Sequence, residues 1–153
     1  MGERSARNPS LENLVVLVGD WDMDLSGASF LPNPDDKVLG HVGFKWIEGG
    51  ALLLMRQGEA PPPSPPQARW VIGRDEASPD YKVLYFDGRG VSRIYEMSFG
   101  DGLWKLWRNT PDFSQRFEGR LSEDHDTVMA HWEKSLDGES WEHDFNVIYR
   151  RRK

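Results

Sequence analysis

Cysteine is absent from this chain, which rules out disulfides and any thiolate-ligated metal centre. Long apolar runs are absent as well, and no segment approaches the ~18 consecutive apolar residues of a membrane-spanning helix. Residues 1–8 are polar and charged and lack the apolar stretch of a signal peptide; a cytoplasmic protein without membrane contact is the expectation. Positive charge is in deficit: 19 Lys and Arg stand against 25 Asp and Glu, for a formal net charge of −6. Such a chain repels phosphate backbones, which disfavours nucleic acid as a partner. The one basic run, Arg150-Arg151-Arg152-Lys153, reads as a solvated tail. No phosphate-binding glycine loop, nucleophile elbow or dinucleotide fingerprint occurs.

What is abundant is aromatic side chain and turn punctuation. Seven Trp, seven Phe and four Tyr supply large areas for a core within a single domain of 153 residues. Turn-forming clusters at 48–50, 87–90, 100–102, 110–112, 123–126 and 137–140 recur every ten or so residues. Gly, Asn and Asp supply the positive φ of tight hairpins, so these clusters are turns with a mechanism. Between them lie ten candidate strands, at about 20–26, 38–47, 51–58, 69–75, 81–87, 91–99, 103–109, 113–121, 127–135 and 141–150. Mostly hairpin-length connections predict an all-β, antiparallel up-and-down meander of about ten strands. Closure into a barrel is expected, because it removes exposed edges.

A short helix precedes the first strand. Asn8 caps it, Pro9 suits the first helical position, Leu11, Leu14, Val15 and Val18 recur at helical spacing, and Gly19 stops it. It would plug one barrel end, after a poorly ordered tail over 1–8, leaving 9–153 as the barrel domain. The segment 58–68 holds Pro61, Pro62, Pro63, Pro65 and Pro66 and predicts a stiff excursion, read either as a lid over the barrel or as a plain surface loop.

Strand alternation assigns faces. Trp21, Met23 and Leu25 point one way, with Asp20, Asp22 and Asp24 on the other. Phe113, Gln115, Phe117, Gly119 and Leu121 face in. Val91, Arg93, Tyr95, Met97 and Phe99 form an inward set that carries Arg93 with it, and Trp141, His143, Phe145, Val147 and Tyr149 form another. On 127–135 the choice between Val128, Ala130, Trp132 and Met129, His131, Glu133 stays open. The interior is then aromatic with a few donors, the composition of a small-molecule site. An inward guanidinium cannot lose its charge, so Arg93 needs an acid such as Glu133, a strand-end carbonyl, water at the barrel mouth, or an anionic ligand.

Gly19-Asp20-Trp21 after a short helix resembles the opening of lipocalin-like (calycin) barrels, in which a basic residue of the last strand covers the Trp. The resemblance implies Arg150 or Arg151 as the partner of Trp21, a cation–π contact worth about 0.5–2 kcal/mol. Trp46-Ile47-Glu48-Gly49-Gly50, Arg93-x-Tyr95, Trp132-Glu133-x-Ser135-x-Asp137-Gly138-x-x-Trp141 and the terminal Tyr149-x-Arg151 together resemble the uncharacterised, calycin-like bacterial family DUF1579, from about Leu14 to Arg151. That resemblance implies the fold and little about activity.

No metal or cofactor is expected. The four histidines, His41, His125, His131 and His143, lack zinc-protease spacing. His131 and His143 with Glu133 or Asp144 would make a metal site only if both rings faced the same way. Asp20-x-Asp22-x-Asp24 lacks the Gly and Glu of a calcium loop. Haem-binding nitrobindin barrels open Gly-x-Trp-x-Gly-x-Gly and carry a histidine three residues before a Tyr of the last strand; Met23, Leu25 and Asn146 occupy the corresponding positions here. The leading expectation is a binding protein, monomeric or homodimeric, holding a hydrophobic or aromatic molecule, an anionic one included, through Arg93, Tyr95, Gln115, Phe117, His143 and Tyr149. The alternatives are an enzyme of isomerase, cyclase or hydrolase type using His131 or His143 as base, and a filled barrel acting through its surface.

Overall fold

Ten strands follow one another along the chain in the computed structural model, which describes residues 8–28, 33, 35–58, 67–75 and 77–152. They are β1 (Gly19–Ser26), β2 (Lys37–Ile47), β3 (Leu52–Gly58), β4 (Ala68–Arg74), β5 (Tyr81–Asp87), β6 (Ser92–Gly100), β7 (Leu103–Arg108), β8 (Ser114–Leu121), β9 (Thr127–Ser135) and β10 (Glu142–Arg151). Sequential neighbours pair antiparallel and β10 closes on β1, so the sheet is a closed up-and-down barrel. No described helix is long and apolar enough to cross a membrane.

Alternating strand direction sorts the connections into two sets. At one end lie the turns at 48–51, 75–80, 101–102 and 122–126, together with the N-terminal helix; we call this the helix end. At the other, the loop end, lie 27–36, 59–67, 88–91, 109–113 and 136–141. The proline-rich connection therefore departs from and returns to the loop end. The expected lid or surface loop itself falls on 59–66, outside the described residues, as do residues 1–7 of the expected tail.

The helix, η1 (Pro9–Leu17), is a 3₁₀ helix rather than an α-helix. The Asn8 side chain accepts from the Ser10 N–H at 3.0 Å, and the Asn8 N–H donates to Gly50 O at 2.8 Å, so Asn8 belongs to the fold rather than to a tail. Leu11, Leu14 and Leu17 are the buried residues. Their strict three-residue spacing lines up along one edge of a helix with three residues per turn, whereas Val15 is left 41% exposed. This is why an α-helical reading misassigned Val15 and passed over Leu17.

Arg151 closes the barrel at this end. Its guanidinium carbon lies 4.2 Å from the centre of the Trp21 ring system. It also donates to Val16 O at 2.6 Å, Val18 O at 3.0 Å, His125 O at 2.9 Å and the Asp126 carboxylate at 3.1 Å. Trp21 Nε1 in turn donates to Leu17 O at 2.9 Å, satisfying a terminal carbonyl of η1. Gly19 makes room for this: its φ is +126°, and a Cβ there would stand 3.3 Å from Arg151 Nη1. Arg150 faces outward and pairs with Asp24 at 2.8 Å, and Arg152 pairs with Asp22 at 2.5 Å. The basic run is thus no solvated tail. It meets the acidic outer face of β1, and Arg151 alone covers Trp21.

The helix-end half of the interior is solid. Trp104 sits at its centre, with ring centroids at 4.9 Å to Phe117, 6.0 Å to Phe44 and Tyr149, and 6.1 Å to Trp70. Gly119 is the strand partner of Trp104, and a Cβ there would meet Val128, Ala130 and Phe117 at 3.1–3.3 Å. The missing side chain is the space into which Phe117, Val128 and Ala130 pack.

Arg151→Ala removes a cation–π contact and charge-assisted hydrogen bonds to two chain segments, so it should lower unfolding free energy by about 2–4 kcal/mol. Arg150→Ala removes an exposed pair and should cost no more than about 1 kcal/mol. Urea denaturation of both variants measures this; equal losses would refute the assignment of closure to Arg151.

Candidate functional site

Above the Trp104 floor the side chains stop filling the barrel, and a cavity of about 580 Å³ occupies the loop-end half. Its apolar wall is Met23, Leu25, Trp70, Phe113, Trp132, Phe145 and Val147. Its polar groups are Gln57, Tyr85, Arg89, Arg93, Tyr95, Gln115, Lys134, Asp144 and Tyr149. Solvent reaches it from the loop end, where the Arg89 side chain is 57% exposed.

Arg93, Tyr95, Gln115 and Tyr149 stand in this wall as the alternation predicts. The Tyr95 hydroxyl donates to Gln115 Oε1 in a short hydrogen bond. Burial pushes the Tyr95 phenol up, partly offset by the neighbouring guanidinium groups of Arg93 and Arg108. The Tyr149 phenol is also raised by burial, and its hydroxyl makes no hydrogen bond among the described residues. Both phenols are therefore neutral donors at ordinary pH. Arg93 lies against rings: its guanidinium carbon is 5.0 Å from the Phe113 centroid and 5.9 Å from Tyr85. Glu133, the acid that might have neutralised it, faces outward and pairs with Arg116 at 2.5 Å.

Two expected site residues lie elsewhere. Phe117 is 2% exposed and packs between Trp104 and Trp132, at 4.9 and 5.1 Å, as part of the floor rather than the cavity wall. His143 is exposed and does not line the cavity. The cause is a β-bulge: His143 pairs with Glu133 while Phe145 pairs with Trp132, leaving Asp144 as an extra residue. The bulge flips parity, so Asp144 is buried and His143 and Trp141 stay outside. Trp141 stacks there under Arg116, 4.0 Å from its guanidinium carbon. On β9, Val128, Ala130 and Trp132 face in, which resolves the open choice and puts His131 outside. None of the four histidines lines the cavity, so it offers neither an imidazole base nor an imidazole ligand for haem iron. Among the described residues no cluster of three or more His, Asp or Glu could hold a metal ion.

The structure adds groups that the sequence reading passed over. Lys134 continues the inward series 128, 130, 132 and stands 3.8 Å from Asp144. Arg89 follows Asp87 in the β5–β6 turn. Asp87 is buried and accepts from Tyr85 at 2.5 Å and from the Arg89 backbone and guanidinium at 2.7–3.1 Å. The Arg89 guanidinium holds the Asp87 carboxyl far below the usual range, and burial with this hydrogen bond pushes the Tyr85 phenol up to about 12. Arg108, strand partner of Gln115, lies behind Tyr95 with its guanidinium carbon 5.9 Å from the ring centre. Two further hollows lie on the outer wall, about 250 Å³ beside Gly43 and about 600 Å³ beside Trp107. In the larger, the charges are already paired with one another, Arg116 with Glu133 and Lys105 with Glu118.

Burial raises the pKa of Asp144, an effect only partly offset by Lys134 and His143. The folded protein therefore keeps this proton to higher pH than the unfolded chain. That contribution to stability is fully present below the unfolded value of ~3.9 and is lost as pH rises through the folded value. Asp144→Asn should accordingly raise the melting temperature at pH 7, with the difference closing near pH 3.5. Thermal denaturation at the two pH values measures this, and a lower melting temperature at pH 7 would show that the Lys134 pair outweighs desolvation.

No protein-family model matches the chain, and no curated protein matches it. Among solved structures, the crystal structure of Rv2717c from M. tuberculosis is similar, with a TM-score of 0.66 over 97% of this chain and 100% of that one. The two share 12% sequence identity. The likeness is one of fold: two very different sequences adopt the same barrel.

Proposed function

We propose that this chain is a small-molecule binding protein that holds a hydrophobic, aromatic ligand in the loop-end cavity. The observation that carries the reading is the volume of about 580 Å³ that aromatic and aliphatic side chains surround without filling. Close-packed interiors keep few voids larger than a water molecule, and binding sites for small molecules fall in the range of about 300–1,000 Å³. The helix-end half shows that this chain packs rings densely where nothing is to be admitted. A barrel acting through its surface alone has no use for such a space. An enzyme built on a lumen histidine lacks that histidine. The Trp132 to Trp141 motif, spanning the end of β9 and the start of β10, supports kinship with DUF1579 as part of the same reading.

The test is titration with N-phenyl-1-naphthylamine, an uncharged dye that brightens in apolar surroundings. Saturable uptake with quenching of Trp70 and Trp132 is expected. Val147→Phe, which places a ring in the cavity, should weaken uptake about tenfold or more while leaving the melting temperature unchanged or higher, since it fills a void. Absence of uptake, or uptake indifferent to Val147→Phe, would remove the lumen from consideration.

A further inference from the structure

We infer that the ligand of this cavity is an aromatic acid, its single carboxylate-type group held at Arg93 in front of Arg108 and its ring body filling the aromatic remainder. This rests on the lumen-binding reading above and specifies the chemistry of that same site.

The charges around the cavity do not balance internally. Arg89 is matched by Asp87, which it grips at 2.7 Å. Lys134 has Asp144, loosely, at 3.8 Å. Arg93 and Arg108 have no carboxylate partner among the described residues. Arg93 has the faces of Phe113 and Tyr85 and the neighbouring Tyr95 phenol. Arg108 gives one hydrogen bond, from Nη2 to Thr110 Oγ1 at 3.0 Å, while its Nε is buried without a partner. Both guanidinium groups act on the same phenol, Tyr95. Arg93 in the wall and Arg108 behind Tyr95 are thus two cations without a carboxylate partner among the described residues, in a chain whose net charge is −6. Of the many carboxylates in the chain, none among the described residues pairs with either guanidinium. Unpaired charge away from water is costly, and an incoming anion relieves that cost.

The same census sets the anion's charge and shape. Asp144 is the one carboxylate in the cavity wall; it offsets part of the positive field and would repel a dianion, which favours a single negative charge. A guanidinium presents a planar fork that matches two oxygens of one group, as in a carboxylate. Beyond this point the wall is rings and aliphatic groups, which suit an aromatic body rather than a sugar or a nucleotide.

The experiment compares 2-naphthoate with 2-naphthamide, equal in shape and different in charge, by calorimetry or tryptophan quenching at neutral pH. Naphthoate should bind about tenfold tighter or more, the scale of a hydrogen bond to a charged group. Arg93→Met and Arg108→Met should each abolish most of that preference, weakening naphthoate far more than naphthamide. Arg93→Lys, which keeps charge but not the fork, should fall between. Melting temperatures of the unliganded variants at or above that of the parent protein would show that they are folded. Equal binding of acid and amide, or a preference that survives both Met substitutions, would overturn this inference while the amide's binding upheld the lumen reading. Failure of both naphthalenes and of the uncharged dye would overturn the two together.

Discussion

The fold turns on one guanidinium. Arg151 lies over the Trp21 indole and donates at the same time to the end of η1 and to the β8–β9 turn. An up-and-down barrel has a single seam where chain order does not supply the neighbour, and here it is the β1–β10 pair. All other pairings join consecutive strands through local connections, with low closure entropy. The seam must join residues more than a hundred positions apart, so it needs more than ladder hydrogen bonds. Cation, indole and carbonyls meet at that place. The outward pairs Arg150–Asp24 and Arg152–Asp22 lie along the same seam and add charge matching at its rim.

With the seam fixed, the interior divides. The helix-end half is organised around Trp104, whose strand partner Gly119 leaves room for Phe117, Val128 and Ala130. The loop-end half is cavity, and nearly all inward-facing charge of the barrel gathers there. Arg89 with Asp87 is a finished unit, neutral overall and shut behind a short contact with Tyr85. Arg93 and Arg108 are unfinished.

Most of the fold was legible because strand patterning and turn chemistry are local. The ten strand positions agree with the structure to within about a residue at each end, the ordinary blur of element boundaries. Inward placement of Arg93, Tyr95, Gln115 and Tyr149 followed from simple alternation. Alternation failed where the ladder stops being regular. Nothing in Glu142-His143-Asp144-Phe145 distinguishes an unbroken strand from one with an extra residue, and the bulge exchanged His143 for Asp144. Phe117 was assigned to the correct face but the wrong depth, because parity says which way a side chain points and not how far down the barrel it sits. Lys134 was missed for want of the alternation carried one residue pair beyond Trp132 on β9, and Arg108 because alternation was not applied to β7. The three leucines of η1 show a different failure: a period of three was read as a period of three and a half, and the helix type changed with it.

The separation of the two ends has a consequence for how such a barrel can diversify. Everything that closes the sheet, η1, Trp21, Arg151 and the β8–β9 turn, stands beyond the Trp104 floor from the cavity. Substitutions in the cavity wall away from β1 and β10 leave the seam untouched, whereas Met23, Leu25, Val147 and Tyr149 are partners across it. One scaffold can pass through many sequences while its architecture stays recognisable, in keeping with two chains 12% identical that share this barrel.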